Sequence, residues 1–260
     1  MPIAERDILA EPGDAVRIAP IALPANAQAS AAVPAQLTYR GGPLLTNVEV
    51  FPSFWGNWNA KPQNKAMTTI IEFFDFILTS ELLDQMAEYS VPGKDIGHGK
   101  RIATPDGKPA IVKTKLLPVT TDGAIRHRLK HLITTDPRFP KPGANTLYFV
   151  YLPPGVAVEQ GSSRSCQAFC GYHDAINSQI FYAVMPWPGC GGCTGNLEPV
   201  QALTSTSSHE LCEAITDPIP PQGWYDDNYG EIGDICAWKT KELGGYTIQR
   251  EWSNKKKTCA

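Results

Sequence analysis

The order of apolar and polar residues predicts a chain that mixes helices and strands. KAMTTIIEFFDFILTS at 65–80 places its apolar residues at helical spacing, as does TDGAIRHRLKHLI at 121–133. Ser80 is positioned to cap a further helical segment over 79–89. Runs of β-branched and aromatic residues predict strands at 46–56, 145–152 and 179–187.

The remaining patterns define how the chain is organised. Residues 91–118 are rich in Gly and Pro, which predicts the reversals of a small sheet, and YTIQREW at 246–252 predicts further strands. Residues 1–37, rich in Pro and Ala, are predicted to form an extended N-terminal arm that either lies on the domain or is disordered. We therefore expect an α+β fold, with a mixed β-sheet packed by a few helices, in a single domain over 38–260.

Composition and charge narrow the classes of partner. The 260 residues are 42% hydrophobic, which is enough for a sizeable core. There are 23 Lys and Arg against 26 Asp and Glu, a formal net charge of −3, and no basic stripe suits a phosphate backbone. No window approaches the roughly 18 apolar residues of a membrane-spanning helix. We expect neither nucleic acid nor a membrane as partner, and the oligomeric state stays open.

The seven cysteines bear on the compartment. In a disulfide framework Cys212, inside a predicted helix, would be the unpaired one, and the other six are Cys166, Cys170, Cys190, Cys193, Cys236 and Cys259. The alternatives are a four-thiolate zinc knot built by CQAFC and CGGC, or free thiols. The N-terminus has no basic region followed by an apolar run, and thus no signal peptide. Paired thiols would favour a secreted or extracellular protein from which such a segment has been removed.

The stretch SSHELCEAITDP at 207–218 carries the clearest chemical signal. In a helix, His209 and Glu213 lie on the same face and can share one cation. Glu210 then projects beside that cation, where its carboxylate can take a proton from an attacking water. The alternative is an ordinary surface helix with a histidine and two acids. In either case the two serines would cap the helix and TDP would stop it, which makes the helix short.

A third ligand is expected from GWYDDNYGEIGD, the acidic segment downstream of that helix. Glu231 is the first choice, and Asp234 is either the alternative ligand or a partner of the ligands. One imidazole with two carboxylates is a harder donor set than two imidazoles with one carboxylate. Zinc is the expected ion, bound less tightly than by the softer set.

Other residues are candidates for supporting roles. His173, just after the segment CQAFC, is either a structural, hydrogen-bonded histidine or one that faces metal or substrate. A neutral donor opposite the metal would stabilise the oxyanion formed when water attacks a carbonyl. Tyr225, Tyr229 and Tyr246 are available for this role, and Tyr225 is preferred because it shares a segment with Glu231.

Two further polar groups are expected to lie in solvent. Asp226, Asp227 and Asn228 offer oxygen ligands that suit Ca²⁺, but the repeating pattern of a dedicated calcium loop is missing, so a solvated turn is preferred. His127 and His131 have metal-ligand spacing, yet they point away from the apolar face of their predicted helix. Neither group enters the predicted metal site.

Six sequence blocks follow one another along residues 38–260. They are YRGGPLLTNVEVFPSFWG, CQAFCGYH, CGGC, SSHELCEAITDP, GEIGDIC and EWSNKKKTCA. Together, and in this order, they resemble the exordium, or phosphate-induced protein, family. The resemblance to that family is looser between residues 90 and 140. The resemblance implies a secreted protein with a HELAE-type helix and an acidic EIGD block. Plant members are linked to extracellular cell growth, and bacterial and fungal chains with this helix look like zinc-dependent proteases.

Carried over residue by residue, the resemblance implies a site made of His209, Glu210, Glu213, Glu231 and Asp234, and a cross-link between Cys236 and Cys259. The expected function is that of a secreted, zincin-like metallopeptidase that acts on a peptide or protein, with Glu210 as general base and His173 or Tyr225 at the oxyanion. The alternative is a non-catalytic extracellular binding or growth-signalling protein with a structural metal site. Glycan hydrolysis is disfavoured because carboxylates on adjacent turns of one helix do not flank a sugar from two sides.

Overall fold

The fold combines helices and strands, as the sequence predicts. A computed structural model describes residues 18–21 and 34–260. The helices are α1 Lys61–Ile77, α2 Glu81–Met86, α3 Asp122–Thr135, α4 Gly191–Thr194 and α5 Pro199–Thr216. Short 3-10 turns span Ala87–Tyr89 and Asp234–Cys236. Within the described ranges, none of the helices combines the length and the apolar character that a membrane crossing requires.

The strands form one central sheet and several small ones. They are β1 Ile18–Pro20, β2 Thr38–Tyr39, β3 Glu49–Trp55, β4 Lys100–Arg101, β5 Ala110–Val112, β6 Val119–Thr121, β7 Thr146–Tyr151, β8 Ala157–Gln160, β9 Ser163–Arg164, β10 Phe169–Ile176, β11 Ile180–Met185, β12 Trp224–Tyr225, β13 Thr240–Leu243, β14 Tyr246–Gln249, β15 Trp252–Ser253 and β16 Thr258–Cys259. The central sheet has the order β1-β10-β11-β7-β3-β4, and β5 also pairs with β3. β10 is antiparallel to both neighbours, whereas the strands from β11 onward are parallel. The predicted mixed sheet of an α+β fold is confirmed.

Helices cover both faces of the central sheet. Because side chains alternate along each strand, the sheet feeds two separate apolar cores. In β7, Phe149 packs into the core that contains α1, α2 and α5, whereas Tyr148 packs into the core that contains α3. The face that is covered by α5 is the one that carries the polar site described below.

The predicted helices are confirmed with shifted ends. The helix predicted over 65–80 is α1, which begins earlier, at Lys61, because Pro62 occupies its first turn and suits a helix start. Ser80 caps α2 as predicted, since its hydroxyl accepts the Leu82 amide at 3.3 Å. The helix predicted over 121–133 is α3.

Two strand assignments differ from the prediction. The small separate sheet predicted over 91–118 is wrong, because β4 and β5 pair in parallel with β3 and extend the central sheet. Ala110 and Val112 of β5 are buried there, each 2% exposed. The strand β10 was not predicted, since cysteine, glycine and charged residues interrupt its apolar pattern.

The helix predicted around the HELCE motif is present, but its predicted beginning at the two serines is wrong. α5 starts at Pro199, and the Gln201 side chain accepts the Glu198 backbone amide at 3.0 Å, which stabilises this end. Ser207 and Ser208 are therefore not a cap but fully buried residues inside the helix. The predicted stop at TDP is confirmed.

The cysteines form three disulfides. The bonds are Cys166–Cys190, Cys170–Cys193 and Cys236–Cys259. Cys212 is the free, buried cysteine, as predicted. The zinc-knot alternative is wrong, because the sulfurs that cluster at Cys166, Cys190 and Cys193 are already used in disulfides. Three disulfides are typical of an extracellular or other oxidising compartment.

Part of the predicted N-terminal arm is described. Residues 18–20 form β1 at the edge of the central sheet, so this portion lies on the domain. Ala35 and Leu37 are buried in the core that contains α5. The rest of the predicted arm, 1–17 and 22–33, lies outside the described residues, and the domain boundary after residue 37 stays a prediction.

Candidate metal centre

Helix α5 carries polar side chains into the protein interior. It packs between the β10–β11 pair and strand β14, so its residues from Ala202 onward are buried, apart from Thr206. His209, Glu210 and Glu213 are each at most 1% exposed. His209 Nε2 lies 3.1 Å from Glu213 Oε1, as expected for side chains one turn apart on the same face.

The segment after β12 adds a second carboxylate. Asp234 opens a 3-10 turn, and its carboxylate lies within 4.8 Å of ligand atoms of His209 and Glu213. Gly233 permits this approach, because a Cβ at that position would lie 2.6 Å from His209 Nδ1 and 2.9 Å from Glu213 Oε1. The acid grouped with the two helix ligands is thus Asp234, the alternative in the sequence prediction.

The donor atoms of this group fit a divalent cation. His209 Nε2 and both Glu213 oxygens are buried without a hydrogen-bond partner among the described residues. His209 Nε2 and Glu213 Oε1 lie 3.1 Å apart, but without the geometry of a hydrogen bond. Two ligand atoms held about 2.0–2.2 Å from a tetrahedral zinc ion lie about 3.3–3.6 Å apart, which is similar to this 3.1 Å separation. Imidazole and carboxylate donors suit Zn²⁺ and other divalent cations, so we call His209, Glu213 and Asp234 the candidate metal centre.

His173 lies on the other side of Glu213, in strand β10. Its Nδ1 is 3.0 Å from Glu210 Oε2 and 3.5 Å from Glu213 Oε2. Its Nε2 is 3.1 Å from the Asp217 carbonyl oxygen and 3.5 Å from Glu231 Oε1. Because both ring nitrogens face oxygens, the ring is suited to carry two N–H donors. His173 is therefore hydrogen-bonded within the site, and Glu231, the first choice as third ligand, lies beside it.

Glu210, the predicted general base, has both oxygens engaged. Oε2 accepts from His173 Nδ1 at 3.0 Å, and Oε1 accepts the backbone amide of Ala19 at 3.3 Å. Burial raises the pKa of Glu210, although the hydrogen bond from His173 opposes that shift. A carboxyl group with a raised pKa is suited to hold and release a proton near neutral pH.

Acidic groups outnumber basic ones in this cluster. Its carboxyl groups are those of Glu210, Glu213, Asp217, Glu231, Asp234 and Glu251. Its basic groups are the two imidazoles of His173 and His209. Buried charges are unfavourable unless they are paired or neutralised, so the cluster requires bound protons or a cation.

The pKa values follow from this imbalance. Burial, with repulsion from Glu213, raises the pKa of Asp234 to about 7, and burial raises the pKa of Asp217 to about 7. Burial would also raise the pKa of Glu213, but the charges and hydrogen bonds of His209 and His173 together outweigh it and lower that pKa to about 2. Burial would lower the pKa of His209, but Glu213 raises it well above its usual value. His209 and Glu213 therefore form the most strongly charged pair of the site.

Three residues of this site, Asp217, Gln249 and Glu251, were not predicted from the sequence. Asp217 enters the sequence pattern only as part of the helix stop. Glu251 gave no signal in the sequence, and both of its oxygens are buried without a described hydrogen bond. Gln249 Nε2 lies 2.8 Å from His209 Nδ1 and 2.9 Å from the Gly233 carbonyl oxygen. Coordination through His209 Nε2 requires a proton on Nδ1, so Gln249 must then turn its amide and present Oε1 to that proton.

Tyr225 and the acidic turn lie just before the candidate metal centre in the chain. Tyr225 is 5% exposed, and the Arg40 guanidinium lies 4.4 Å above its ring centroid. A role for Tyr225 at the oxyanion stays a prediction. The expectation that this turn lies in solvent is wrong for Asp226, which is 6% exposed and accepts three backbone amides. Asp227 pairs with Arg40, so these oxygens belong to a hydrogen-bonded turn and offer no separate support for Ca²⁺.

Comparison with known proteins adds no relative to these observations. No family model, no curated protein and no solved structure matches this chain. The resemblance to the exordium family and the zincin-like character of the fold therefore stay predictions, which rest on the sequence blocks and on the geometry of the site.

Substitution of Gly233 by alanine tests how closely the ligands pack. The backbone there is right-handed, with φ −78° and ψ −38°, so alanine adds volume without backbone strain. Its methyl group would meet His209 and Glu213, and we expect zinc affinity to fall about 10- to 100-fold. Competition against a chromophoric chelator measures this. The matched control is Gly191→Ala, where a Cβ meets nothing within 4 Å; equal affinity in all three proteins would contradict the assignment.

The pH dependence of stability tests the charge imbalance. Without metal, Asp217 and Asp234, whose pKa values are raised to about 7, hold protons in the folded state that the unfolded state releases near pH 4. The raised pKa values of His173 and His209 lower the stability in the same direction as the pH rises. Glu213, whose pKa is lowered to about 2, stabilises the folded state by the same amount at every pH above 5. The free energy of unfolding should therefore fall by several kcal/mol between pH 5 and pH 8.

Urea denaturation of chelator-treated protein measures that fall. Zinc at about 100 times its dissociation constant should restore about 2.7 kcal/mol at pH 8, and less at pH 5, where protons compete for the ligands. A metal-free protein that becomes more stable from pH 5 to pH 8 would show that the acidic groups are not buried together.

Proposed function

We propose that this protein is a secreted, zinc-dependent metallopeptidase with a zincin-like fold. One observation carries the proposal. His209, Glu213 and Asp234 offer ligand atoms within 4.8 Å of one another, and Glu210 follows His209 on the same buried helix. A metal ligand and an adjacent carboxylate in this order are the arrangement that metal-assisted hydrolysis of a peptide bond needs.

The chain supplies a ligand set that suits zinc. His209, Glu213 and Asp234 would hold the ion, with Glu231 as the nearby alternative acid. When bound, zinc supplies Lewis-acid chemistry, since it polarises the substrate carbonyl and makes water more acidic. The pKa of Glu213, lowered to about 2, keeps its carboxylate ionised for this role. Asp234, with a pKa of about 7 in the absence of metal, would ionise beside a positive charge.

Glu210 would move the proton. Its carboxylate accepts a proton from the attacking water and passes it to the nitrogen that leaves when the peptide bond breaks. The hydrogen bond from His173 Nδ1 at 3.0 Å holds the carboxylate in place. Because His173 also contacts the Asp217 carbonyl at 3.1 Å, its ring cannot turn freely, and Glu210 keeps one orientation.

The substrate class and the compartment follow from two further features. Glu210 and Glu213 both lie on the Nδ1 side of His173, at 3.0 and 3.5 Å, so they share one side of the site and do not flank a sugar ring. This favours a peptide or protein substrate. The three disulfides support a secreted or extracellular protein.

A non-catalytic protein with a structural metal site is the second candidate. The depth of the cluster favours it, since His173, His209, Glu213 and Glu231 are all at most 1% exposed. A structural zinc site is closed by four protein ligands, whereas a catalytic site keeps one position for water. The same residues would then serve extracellular binding or growth signalling, and no hydrolysis would occur.

Substitution of Glu210 by glutamine separates the two candidates. Glutamine keeps the size of the side chain but cannot accept the proton, so hydrolysis of a fluorogenic peptide mixture should fall about 10²- to 10⁴-fold. Zinc content, measured by elemental analysis, should stay at the wild-type value. Glu81→Gln, at the first residue of α2, is the matched control and should leave both quantities unchanged.

Each outcome has a distinct meaning. Hydrolysis in the Glu210→Gln variant at the wild-type rate would remove the mechanism. A protein that binds zinc, loses stability on chelation and hydrolyses no peptide, even in a variant whose strand β1 is displaced from β10, would favour the structural site.

A further inference from the structure

The first strand of the protein lies against the site. β1 pairs antiparallel with β10, with Ile18 opposite Tyr172 and Ala19 opposite Gly171. β10 is also the strand that carries His173. Without β1, the edge of β10 would be an open row of backbone donors and acceptors, which is the usual docking place for an extended peptide.

Polar contacts hold β1 in one register beside the site. The Ala19 amide donates to Glu210 Oε1 at 3.3 Å, and the Ile21 amide donates to the Ala168 carbonyl at 3.3 Å. The Trp238 indole donates to the Pro20 carbonyl at 3.1 Å. The segment is thus held at three consecutive residues.

Two backbone features adapt the protein to this segment. Trp238 has a φ of +67°, a left-handed conformation that is unfavourable for residues other than glycine and is often found at functional sites. Gly171, opposite Ala19, lets α5 lie close to β10, since a Cβ there would lie 2.7 Å from the Met185 and Thr206 side chains and 3.3 Å from Glu210 Oε1. Ala19 itself is only 6% exposed.

We infer that residues 18–21 occupy the path of a peptide substrate and act as an intramolecular inhibitor of the site. The inference rests on the proposed function for the identity of the site, but not for the contacts of the segment. The amide nitrogen at position 19 contacts the very carboxylate that would protonate a leaving nitrogen. A substrate would therefore be an extended peptide that pairs with β10, with a small residue in the place of Ala19.

The inhibition follows from the two oxygens of Glu210. Oε2 accepts from His173, and Oε1 accepts from Ala19, so the backbone of β1 lies at the oxygen that an attacking water would have to reach. Displacement of β1 would free Oε1 and the edge of β10 together. Removal or displacement of the N-terminal segment is then the activating event.

A binding experiment on the full chain tests this inference without relying on hydrolysis. The probe is a fluorescent peptide of residues 14–24, DAVRIAPIALP, added in the presence of a chelator. In the variant Ala19→Asp, a carboxylate would have to be buried beside Glu210, so the tethered segment should leave β10. Since a tethered segment competes at an effective concentration on the order of millimolar, the probe should bind this variant at least about tenfold more tightly than the wild type.

Matched variants guard against unrelated effects. Ala144→Asp, in an exposed turn, should bind the probe like the wild type. Ile21→Asp releases the same segment without placing a charge beside Glu210, and it decides the test should Ala19→Asp fail to fold. A probe peptide with Ala19→Pro lacks the amide that Glu210 accepts and should bind at least about tenfold more weakly.

The outcomes separate this inference from the proposed function. Tighter probe binding by both release variants, together with faster hydrolysis of added peptides when zinc is present, would support both. Tighter binding without hydrolysis would support the inference and remove the peptidase assignment. Equal binding by wild type and release variants would overturn the inference, whatever the hydrolytic activity.

Discussion

The structure depends on the placing of opposite charges in the protein interior, above all those of His209 and Glu213. Their side chains approach to 3.1 Å without a hydrogen bond, in surroundings that bury both completely. Removing an ion from water costs several kcal/mol, and further acids crowd the same space. Such a cluster is stable only if protons or a cation neutralise it. Metal binding, pH and stability are therefore coupled in this protein.

The fold meets this constraint by joining distant segments around α5. His173 comes from β10, Asp234 from a 3-10 turn and Gln249 from β14. The Cys170–Cys193 bond fixes β10 to α4, and the Cys236–Cys259 bond fixes the turn of Asp234 to the last strand. Cross-links at these places hold the polar groups close together before any ligand binds, which limits the reorganisation that binding requires.

The sequence predicted the parts of the site that local spacing determines. His209, Glu210 and Glu213 belong to one helix, so their mutual geometry follows from the helical repeat alone. Asp234 is in the same segment as Glu231, but spacing alone could not decide between them, because the turn that aims each carboxylate is set by packing. Most of the predicted helices and strands were correct for the same reason, as their apolar periodicity is a local property.

Long-range pairing accounts for what the sequence did not predict. β10 has no regular apolar alternation, and its place in the sheet depends on β11, β1 and a disulfide. Gln249 and Glu251 stand on either side of Arg250 near the C-terminus, and this polar stretch has no alternation that would indicate a buried site. The contact of Ala19 with Glu210 joins residues 191 positions apart. No local rule anticipates such a contact.

The most direct test of the central claim is diffraction from zinc-loaded crystals on both sides of the zinc absorption edge. The account predicts an anomalous peak about 2.0–2.2 Å from His209 Nε2 and from carboxylate oxygens of Glu213 and Asp234. A zinc-loaded protein with no peak between these side chains, or with His209 Nε2 bonded to a protein group instead, would contradict it.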